Sequence, residues 1–298
     1  MGVFARIRSF ARHSLPDFWQ HPLWRQRRWV PFFRFASLQL RFAFGPRQLL
    51  IPWLEGVRLP VRRGDHGLTG NIYLGLQECK DMAFALHLLR PGDLFLDVGA
   101  NLGSYSLLAA GVAGADGLAF EPVPSTFARL QEALALNGLG RRTEARNLAL
   151  ASPAQVAAGQ QLAFSADRDC QNSFVDASYT GRTIVVEVST LDGQCAGLSP
   201  TLMKVDVEGF EQDVLRGAQA VLAAESLLAI IIEGQTEAVN AILRAAGFLD
   251  VSYEPFRREL VPITRYTPNR LWIRRTRQAE VAERLRSAPT HRVYGRPI

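Results

Sequence analysis

A chain of 298 residues with 48% apolar and 21% charged residues can bury one sizeable core and carry extensions, and this composition excludes a disordered protein. The net charge of +6 is divided unevenly, since residues 1–55 hold nine arginines against two acids, residues 257–298 hold eleven against three, and the middle has an excess of acids. Because an enzyme that acts on nucleic acid needs a basic surface beside its active site, the acidic middle argues against a nucleic-acid partner.

The cysteines and the first residues indicate the compartment. Cys79, Cys170 and Cys195 are widely spaced and form no CxxC pair, so the sequence predicts neither a disulfide framework nor a cysteine metal site. Arginines interrupt the N-terminus, which lacks the apolar core of a signal peptide, and no stretch reaches the ~18 apolar residues of a spanning helix. We therefore expect a cytoplasmic protein that is at most peripheral at the inner face of the membrane.

Residues 1–55 combine arginine with aromatic side chains, and prolines divide them into segments that are predicted to be short helices. One interpretation is a helical cap that packs on the main domain or on a second copy of the chain in a homo-oligomer. The other is an anchor on a membrane surface, with arginine at the headgroups and aromatic rings at the acyl boundary.

From about residue 90 to residue 256, predicted strands alternate with predicted helices, which is typical of a parallel sheet covered on both faces. Helices are predicted from Ser125 to Asn137-Gly138 and, without interruption, over 208–224. Residues 151–190 are predicted to be an insertion with a short strand pair that lines the substrate site. The C-terminal residues are predicted to form a helix with a loose tail. The strands are expected at 94–98, 117–121, 145–150, 201–206 and 227–233.

The stretch LFLDVGANLGSYSLLAA, residues 94–110, combines a strand, a glycine turn and a helix of small residues. Open α/β sheets bind ligands at the carboxyl ends of their strands. Asp97 ends the first strand of this unit, and Gly99 and Gly103 let the backbone approach a ligand closely. Glu121, at the end of the next strand, can accept both hydroxyls of a ribose, so the pattern indicates an adenosine cofactor.

The turn GANLG distinguishes two cofactors. Asn101 stands where a dinucleotide site usually has its second glycine, so the fingerprint for a pyrophosphate is incomplete. The charge of Asp97 suits the amino group of a methionine better than a phosphate. S-adenosylmethionine is therefore favoured over NAD, while an NAD-dependent oxidoreductase and a membrane-surface scaffold without catalysis stay open.

Four segments together resemble one family: DVGANLGSYSLLAA, FEPVPSTFARL, MKVDVEGFEQDVLRGA and IIIEG. Over residues 70–275 the chain resembles the FkbM family of S-adenosylmethionine-dependent methyltransferases. The resemblance implies an α/β class I (Rossmann-like) fold, with a seven-stranded, mostly parallel sheet and helices on both faces. It also implies methyl transfer to a hydroxyl of a sugar, glycan or natural-product intermediate. The expected domains are a helical extension over 1–55, a methyltransferase domain over 56–275 and a C-terminal helix and tail over 276–298.

The resemblance also assigns cofactor roles. Glu78, ahead of the first strand, is expected to close over the cofactor, and Asn147, behind the third strand, is expected to contact the adenine. The remaining cofactor positions are those of the turn and of the ribose acid: Asp97, Gly99, Asn101, Gly103 and Glu121.

KVDVEGFE is the second chemical signal. Alternate residues of a strand share a face, so Lys204 and Asp206 point the same way, Glu208 also does if the strand persists, and Glu233 ends the neighbouring strand. Methyl transfer to a hydroxyl needs an aligned oxygen and an acceptor for its proton. Our hypothesis makes Asp206 or Glu208 the base or the orienting group, while Lys204 stabilises the oxyanion or holds the carboxylate.

Other readings of these residues stay open. In one of them, the residues form a structural ion-pair network made of Lys204, Asp206 and Glu233. Glu208 then only complements the positive N-terminus of the next helix. Two carboxylates at neighbouring strand ends could also hold Mg²⁺, although we predict no metal. The acceptor, a small molecule or a glycan, is expected to contact Glu233 and also His66 and Asn172 in polar loops.

Overall fold

The computed structural model describes residues 21–27, 29–63, 65, 67–159, 162–165, 183–234, 236–264 and 267–298. His66 and Asn172 lie outside these residues, so their predicted acceptor roles stay predictions. Within the described part, none of the helices combines the length and apolar character that crossing a bilayer requires.

The N-terminal part combines helices with a strand pair. Pro31, whose fixed φ suits a first helical turn, lies at the start of helix α1. The expectation of helices over 1–55 is right for α1 and wrong for β1, where buried and exposed residues alternate as in a half-buried strand. The β1–β2 hairpin straddles residue 55, and the domain division there stays a prediction. The elements are α1 (Val30–Phe44), β1 (Gln48–Pro52), β2 (Arg58–Arg62), α2 (Thr69–Leu74) and α3 (Cys79–Leu88).

The first half of the central unit follows the predicted strand–helix alternation. Its helix α5 ends at Leu136, and Gly138 follows with a φ of +69°, so the predicted stop at Asn137-Gly138 is confirmed. The elements are β3 (Leu94–Val98), α4 (Ser104–Gly111), β4 (Asp116–Phe120), α5 (Pro124–Leu136) and β5 (Thr143–Arg146).

The predicted insertion contains the expected strand pair, because β7 and β8 run antiparallel to each other. Beside it, β6 and β9 form a short parallel pair. The elements are β6 (Ala149–Leu150), α6 (Pro153–Ala157), β7 (Leu162–Ser165), β8 (Thr183–Val186), β9 (Val188–Ser189) and α7 (Leu191–Gln194).

The expectation of one helix over 208–224 is wrong, because the chain forms two short helices that are separated at Gly217. A β-carbon there would lie 2.2 Å from the carbonyl oxygen of Ala151, so the backbone of the insertion passes directly against this position. The elements are β10 (Pro200–Val205), α8 (Glu211–Arg216), α9 (Gln219–Ala223), β11 (Ala229–Glu233) and α10 (Glu237–Ala245).

The C-terminal tail is ordered against the body rather than loose. Val293 and Ile298 are buried, and the strands β15 and β16 pair antiparallel after the last helix. The elements are β12 (Phe248–Glu254), β13 (Glu259–Val261), β14 (Asn269–Arg274), a 3₁₀ turn (Arg275–Arg277), α11 (Gln278–Arg286), β15 (Arg292–Val293) and β16 (Arg296–Pro297).

An eight-stranded sheet organises these elements, in the order β13-β12-β14-β11-β10-β3-β4-β5. The strands from β5 to β11 run parallel, whereas β14 is antiparallel to both of its neighbours, β11 and β12. Apart from β13 at the edge, this is the seven-stranded sheet expected of the class I methyltransferase fold. Carboxyl ends of the five parallel strands lie along one edge, where a ligand is expected.

Both faces of the central part of the sheet are buried, which explains why strands such as β10 and β11 are apolar without alternation. Phe95 belongs to the core on one face, while Leu96 and Val98 belong to the core on the other. Lys204 is the exception, since it is buried within the apolar strand β10. A buried cation of this kind requires nearby carboxylates.

Candidate functional site

The loop after β3 is held between two strands. The N–H groups of Gly99 and Ala100 donate to the carbonyl oxygen of Phe120, at 3.0 and 2.9 Å. Gly99 has a φ of +82°, and a β-carbon there would lie 1.8 Å from the carbonyl oxygen of Asp206. Only glycine fits this position, because a side chain would separate the loop from the end of β10.

Asn101 and Gly103 complete the turn in left-handed conformations, with φ values of +50° and +86°. Asparagine tolerates this region better than most residues. A β-carbon on Gly103 would lie 2.6 Å from Cδ1 of Leu130, so the turn also packs closely on α5. The predicted loop residues therefore build one tight backbone cradle.

Glu121 closes the cradle from the end of β4. Its two carboxylate oxygens accept the N–H groups of Asn101 at 3.0 Å and Val123 at 2.9 Å. Burial raises the pKa of Glu121 to about 7 in spite of these hydrogen bonds. Each oxygen keeps a free lone pair, so the group can still accept a ribose hydroxyl, as predicted.

A cleft of about 740 Å³ opens over this cradle. The carboxylates of its wall come from the ends of β4 and β10, and its apolar surface comes from the segment around β6. Its lining residues, which include no lysine or arginine, are Val98, Gly99, Asn101, Phe120, Glu121, Pro122, Thr126, Leu148, Ala149, Leu150, Asp206, Val207, Glu208 and Phe210.

Two predicted cofactor residues lie behind this cleft. Asp97 is 2% exposed, accepts a hydrogen bond from Oγ of Ser106 at 2.6 Å, and has its pKa raised by burial. Asn147 donates through Nδ2 to the carbonyl oxygens of Glu121 and Pro122, both at 2.8 Å. Neither side chain forms part of the wall, so the structure places both residues as supports of the loops that do.

Lys204 lies under the same edge with its ammonium surrounded by acids. The side chain is buried, and Nζ donates to Oδ2 of Asp206 at 2.6 Å and lies 4.8 Å from the ring centre of Tyr105. Burial alone would lower the pKa of Lys204, but the charges of Asp206, Glu78 and Asp97 raise it above its usual value. The lysine is therefore a permanent cation.

Asp206 and Glu233 share a hydrogen bond. This bond, together with burial and the charge of Asp206, raises the pKa of Glu233 to about 8. Burial opposes ionisation of Asp206, but the Lys204 ammonium and the Glu233 hydrogen bond lower its pKa below the usual value. At neutral pH Glu233 thus holds a proton and Asp206 is ionised.

Glu208 completes a carboxylate trio with Asp206 and Glu233, whose oxygen atoms lie within 4.8 Å of one another. Glu208 adopts a φ of +53°, and burial and the charge of Asp206 raise its pKa. Among the described residues this trio is the one group that could hold a metal ion. Glu233 would first have to release its proton, and the prediction of a metal-free site stays a prediction.

A second cleft of about 1,020 Å³ lies on the other side of the trio. Oε2 of Glu78 accepts hydrogen bonds from the hydroxyl of Tyr105 at 2.5 Å and from Nδ2 of Asn269 at 2.9 Å. Asn269 also donates to Asp81 at 3.2 Å, and burial and the charge of Glu78 raise the pKa of Asp81 to about 6. Glu78 thus lines this second cleft rather than the first.

The two clefts adjoin at the carboxylate trio, since Asp206 and Glu208 line the first and Glu233 lines the second. The insertion packs against one wall of the first cleft, because Val186 of β8 lies in one apolar cluster with Ala149, a lining residue. Two ligands, one in each cleft, would therefore approach each other at a hydrogen-bonded pair of carboxyl groups.

Sequence reasoning missed three residues that complete this arrangement. Asp81 lies three residues after Glu78, a helical spacing that could have revealed it. Tyr105 and Asn269 gave no local signal, because their partner Glu78 is 27 and 191 residues away in the chain.

Comparison with known proteins identifies relatives of this chain. The family described as the methyltransferase FkbM domain matches residues 97–249, about half of the chain. A curated protein of Beauveria bassiana (strain ARSEF 2860), Methyltransferase 1, is 32% identical over 150 residues. That match covers 43% of this chain and 59% of the fungal protein, so the chain spans less than two thirds of its relative.

Solved structures overlap more broadly but superpose weakly. A methyltransferase FkbM from Methylobacillus flagellatus KT has a TM-score of 0.42 and 16% identity, covering 70% of this chain and 55% of that one. A putative transferase from Pyrococcus horikoshii has a TM-score of 0.41 and 14% identity, covering 82% and 83%. Neither superposition is close enough to bear on the substrate.

Proposed function

The chain belongs to the FkbM methyltransferase family, and from this premise we propose that it transfers the methyl group of S-adenosylmethionine to a hydroxyl of a sugar, glycan or natural-product intermediate. The observation that carries the proposal is the junction of the two clefts at the neighbouring carboxyl groups of Asp206 and Glu233. The first cleft suits the cofactor and the second suits the hydroxylated acceptor.

The charge of the first cleft favours this cofactor over NAD. Three carboxylates, Glu121, Asp206 and Glu208, line it without a lysine or arginine. S-adenosylmethionine brings a sulfonium and an ammonium to such a site, whereas the pyrophosphate of NAD would face like charges. Gly99 leaves room for close backbone approach, and Glu121 keeps lone pairs for the ribose.

Bound in this cleft, S-adenosylmethionine supplies an electrophilic methyl group on a positively charged sulfur. The residues of the chain then have to orient the acceptor oxygen and accept its proton while the oxygen–carbon bond forms. Glu233 already holds a proton, which it donates to Asp206, so it cannot serve as the base. Asp206 is ionised but stabilised by Lys204, which makes it a weak base and a good orienting acceptor.

We assign the role of base, which accepts the proton of the acceptor hydroxyl, to Glu208. Its pKa is raised rather than lowered, and its backbone conformation places it at the wall of the first cleft within 4.8 Å of the pair. Lys204 is 4% exposed and is engaged with Asp206, so its role is to hold the carboxylate. Asp97 and Asn147 support the loops behind the cofactor.

A ligand titration tests the cofactor. Full-length protein is heated with S-adenosylmethionine, S-adenosylhomocysteine or NAD, and a ligand at ~100 times its dissociation constant should stabilise the fold by roughly 2.7 kcal/mol. Stabilisation by the first two supports the proposal, and stabilisation by NAD alone refutes it.

An acceptor screen tests the reaction. Hydroxylated sugars, glycans and natural products are incubated with protein and S-adenosylmethionine, and product mass and S-adenosylhomocysteine are measured together. Asp206→Asn removes the carboxylate that orients the acceptor and should lower turnover by about 10²-fold, with a smaller loss of cofactor affinity. Retained turnover in that variant would show that Asp206 is part of a structural network only.

A further inference from the structure

Helix α1 has two apolar faces. Its buried face, which packs on the body of the protein, consists of Pro31, Phe35, Leu38 and Phe42. Large apolar side chains also project into solvent, and at 100° per residue they fall within a sector of about 60° on the opposite side. These residues, named here the α1 stripe, are Trp29, Phe33, Leu40 and Phe44, with exposed fractions of 55, 65, 44 and 90%.

An exposed apolar stripe of this size is unusual for a surface helix. Elsewhere in the described part of the chain, the exposed large apolar side chains are scattered singly, for example Leu198 and Phe256. Scattered residues need no explanation, but a contiguous patch marks an interaction surface. Since the opposite face of α1 already packs on the protein, the stripe is available to a separate partner.

The charges around the stripe define the partner. No acid occurs between Asp17 and Glu55, whereas that interval contains six arginines. Arg41 lies on α1 and Arg47 follows it, both exposed. A second copy of the chain would bring the same basic, acid-free segment to a symmetric contact, so self-association lacks charge complementarity. An anionic surface provides it.

We propose that the α1 stripe docks on the headgroup region of an anionic lipid bilayer. Tryptophan and phenylalanine partition to the boundary between headgroups and acyl chains, and arginines beside them bind anionic headgroups. The helix is held flat by its buried face, so only the stripe can enter the bilayer. This surface is independent of the proposed methyl transfer.

Docking would also orient the second cleft. His21 and Pro22, shortly before α1, line that cleft, and Nε2 of His21 is 2.8 Å from the carbonyl oxygen of Leu76. The segment that carries the stripe is therefore anchored at the wall of the cleft.

Co-sedimentation of the full-length protein with vesicles tests the proposal. Vesicles of phosphatidylcholine alone are compared with vesicles that also contain phosphatidylserine, at low and high salt. The variant Phe33→Ser/Phe44→Ser changes two exposed residues, and Phe256→Ser, at 50% exposure, is the matched control outside the stripe. Circular dichroism and thermal unfolding confirm that each variant is folded.

The expected result is salt-sensitive binding to the anionic vesicles, retained by Phe256→Ser and weakened at least about tenfold in the double variant. Arg41→Gln should weaken binding about fivefold. Equal binding of vesicles by the double variant and the parent protein would overturn the proposal, since a basic segment other than the α1 stripe would then be responsible for the binding. A concentration-dependent dimer that the double variant abolishes, without vesicle binding, would identify the stripe as an interface between copies.

Discussion

Replacing Gly99 by alanine should disrupt the cofactor loop, and the structure allows the cost to be estimated. The residue has a φ of +82°, and an alanine in the left-handed region costs roughly 1–2 kcal/mol. Its β-carbon would lie 1.8 Å from the carbonyl oxygen of Asp206, far inside the 3.0 Å that β-carbons keep from other atoms. Forcing the loop away from β10 adds about 1–3 kcal/mol, typical of overpacking.

The free energy of unfolding of Gly99→Ala should therefore fall by about 2–5 kcal/mol, measured by urea denaturation. Gly138→Ala is a matched control, because Gly138 has a φ of +69° but nothing within 4 Å of its β-carbon. The free energy of unfolding of Gly138→Ala should fall only by the backbone cost of roughly 1–2 kcal/mol. Calorimetric titration should show weakened S-adenosylmethionine binding for Gly99→Ala alone. Equal stability of the two variants, with normal binding in both, would refute the close approach of the loop and β10.

Three further predictions concern the charged groups. Glu233 has a pKa of about 8, so turnover should fall as the pH rises past that value and the hydrogen bond to Asp206 is lost, whereas Glu233→Gln should remain active at higher pH in a pH–rate profile. Glu121 has a pKa of about 7, and only its ionised form accepts two ribose hydroxyls, so cofactor affinity should fall below pH 7 in the parent protein but not in Glu121→Gln, as followed by calorimetry. Lys204→Met leaves buried carboxylates without a counter-charge and should lower the free energy of unfolding by about 3–5 kcal/mol in urea denaturation.

The raised pKa of Glu233 also gives the pH dependence of stability a definite sign. The folded-state pKa of Glu233 lies above its ordinary value of 4.5, so the unfolded chain releases this proton first as the pH rises. The contribution of Glu233 to stability therefore declines between that ordinary value and about pH 8. An unchanged pH–rate profile in Glu233→Gln would contradict the shared proton, and a pH-independent cofactor affinity in the parent protein would contradict the role of Glu121.

Local signals predicted the central sheet and the loop. Strands such as β3 and β11 are covered on both faces, so each reads as a short apolar run that sequence alone identifies. The turn through Gly99 requires glycine for its own backbone conformation, and its sequence shows this directly. The seven-stranded, mostly parallel sheet followed from the resemblance of the motifs.

Other features of the structure depend on contacts between residues that are distant in the chain, which local sequence patterns do not show. Gly217, which separates α8 from α9, lies against the carbonyl of Ala151, and no local pattern reports a neighbour 66 residues away. Asn147 was expected at the adenine, a role that stays a prediction, and its amide donates to the backbone after β4. Asn269 joins Glu78 only because β14 lies beside β11 in the sheet.

The structural and catalytic readings of Lys204 and Asp206 are not alternatives. A lysine buried in β10 stays charged only beside ionised carboxylates, so the fold itself requires the negative charge of Asp206. That requirement keeps Asp206 ionised where the two clefts adjoin, and it forces the neighbouring Glu233 to keep its proton. The buried cation thus lowers the pKa of Asp206 directly, and Asp206 in turn raises the pKa of Glu233 through their hydrogen bond and its charge. Any substitution of Lys204 should therefore change the pH dependence of turnover together with the free energy of unfolding.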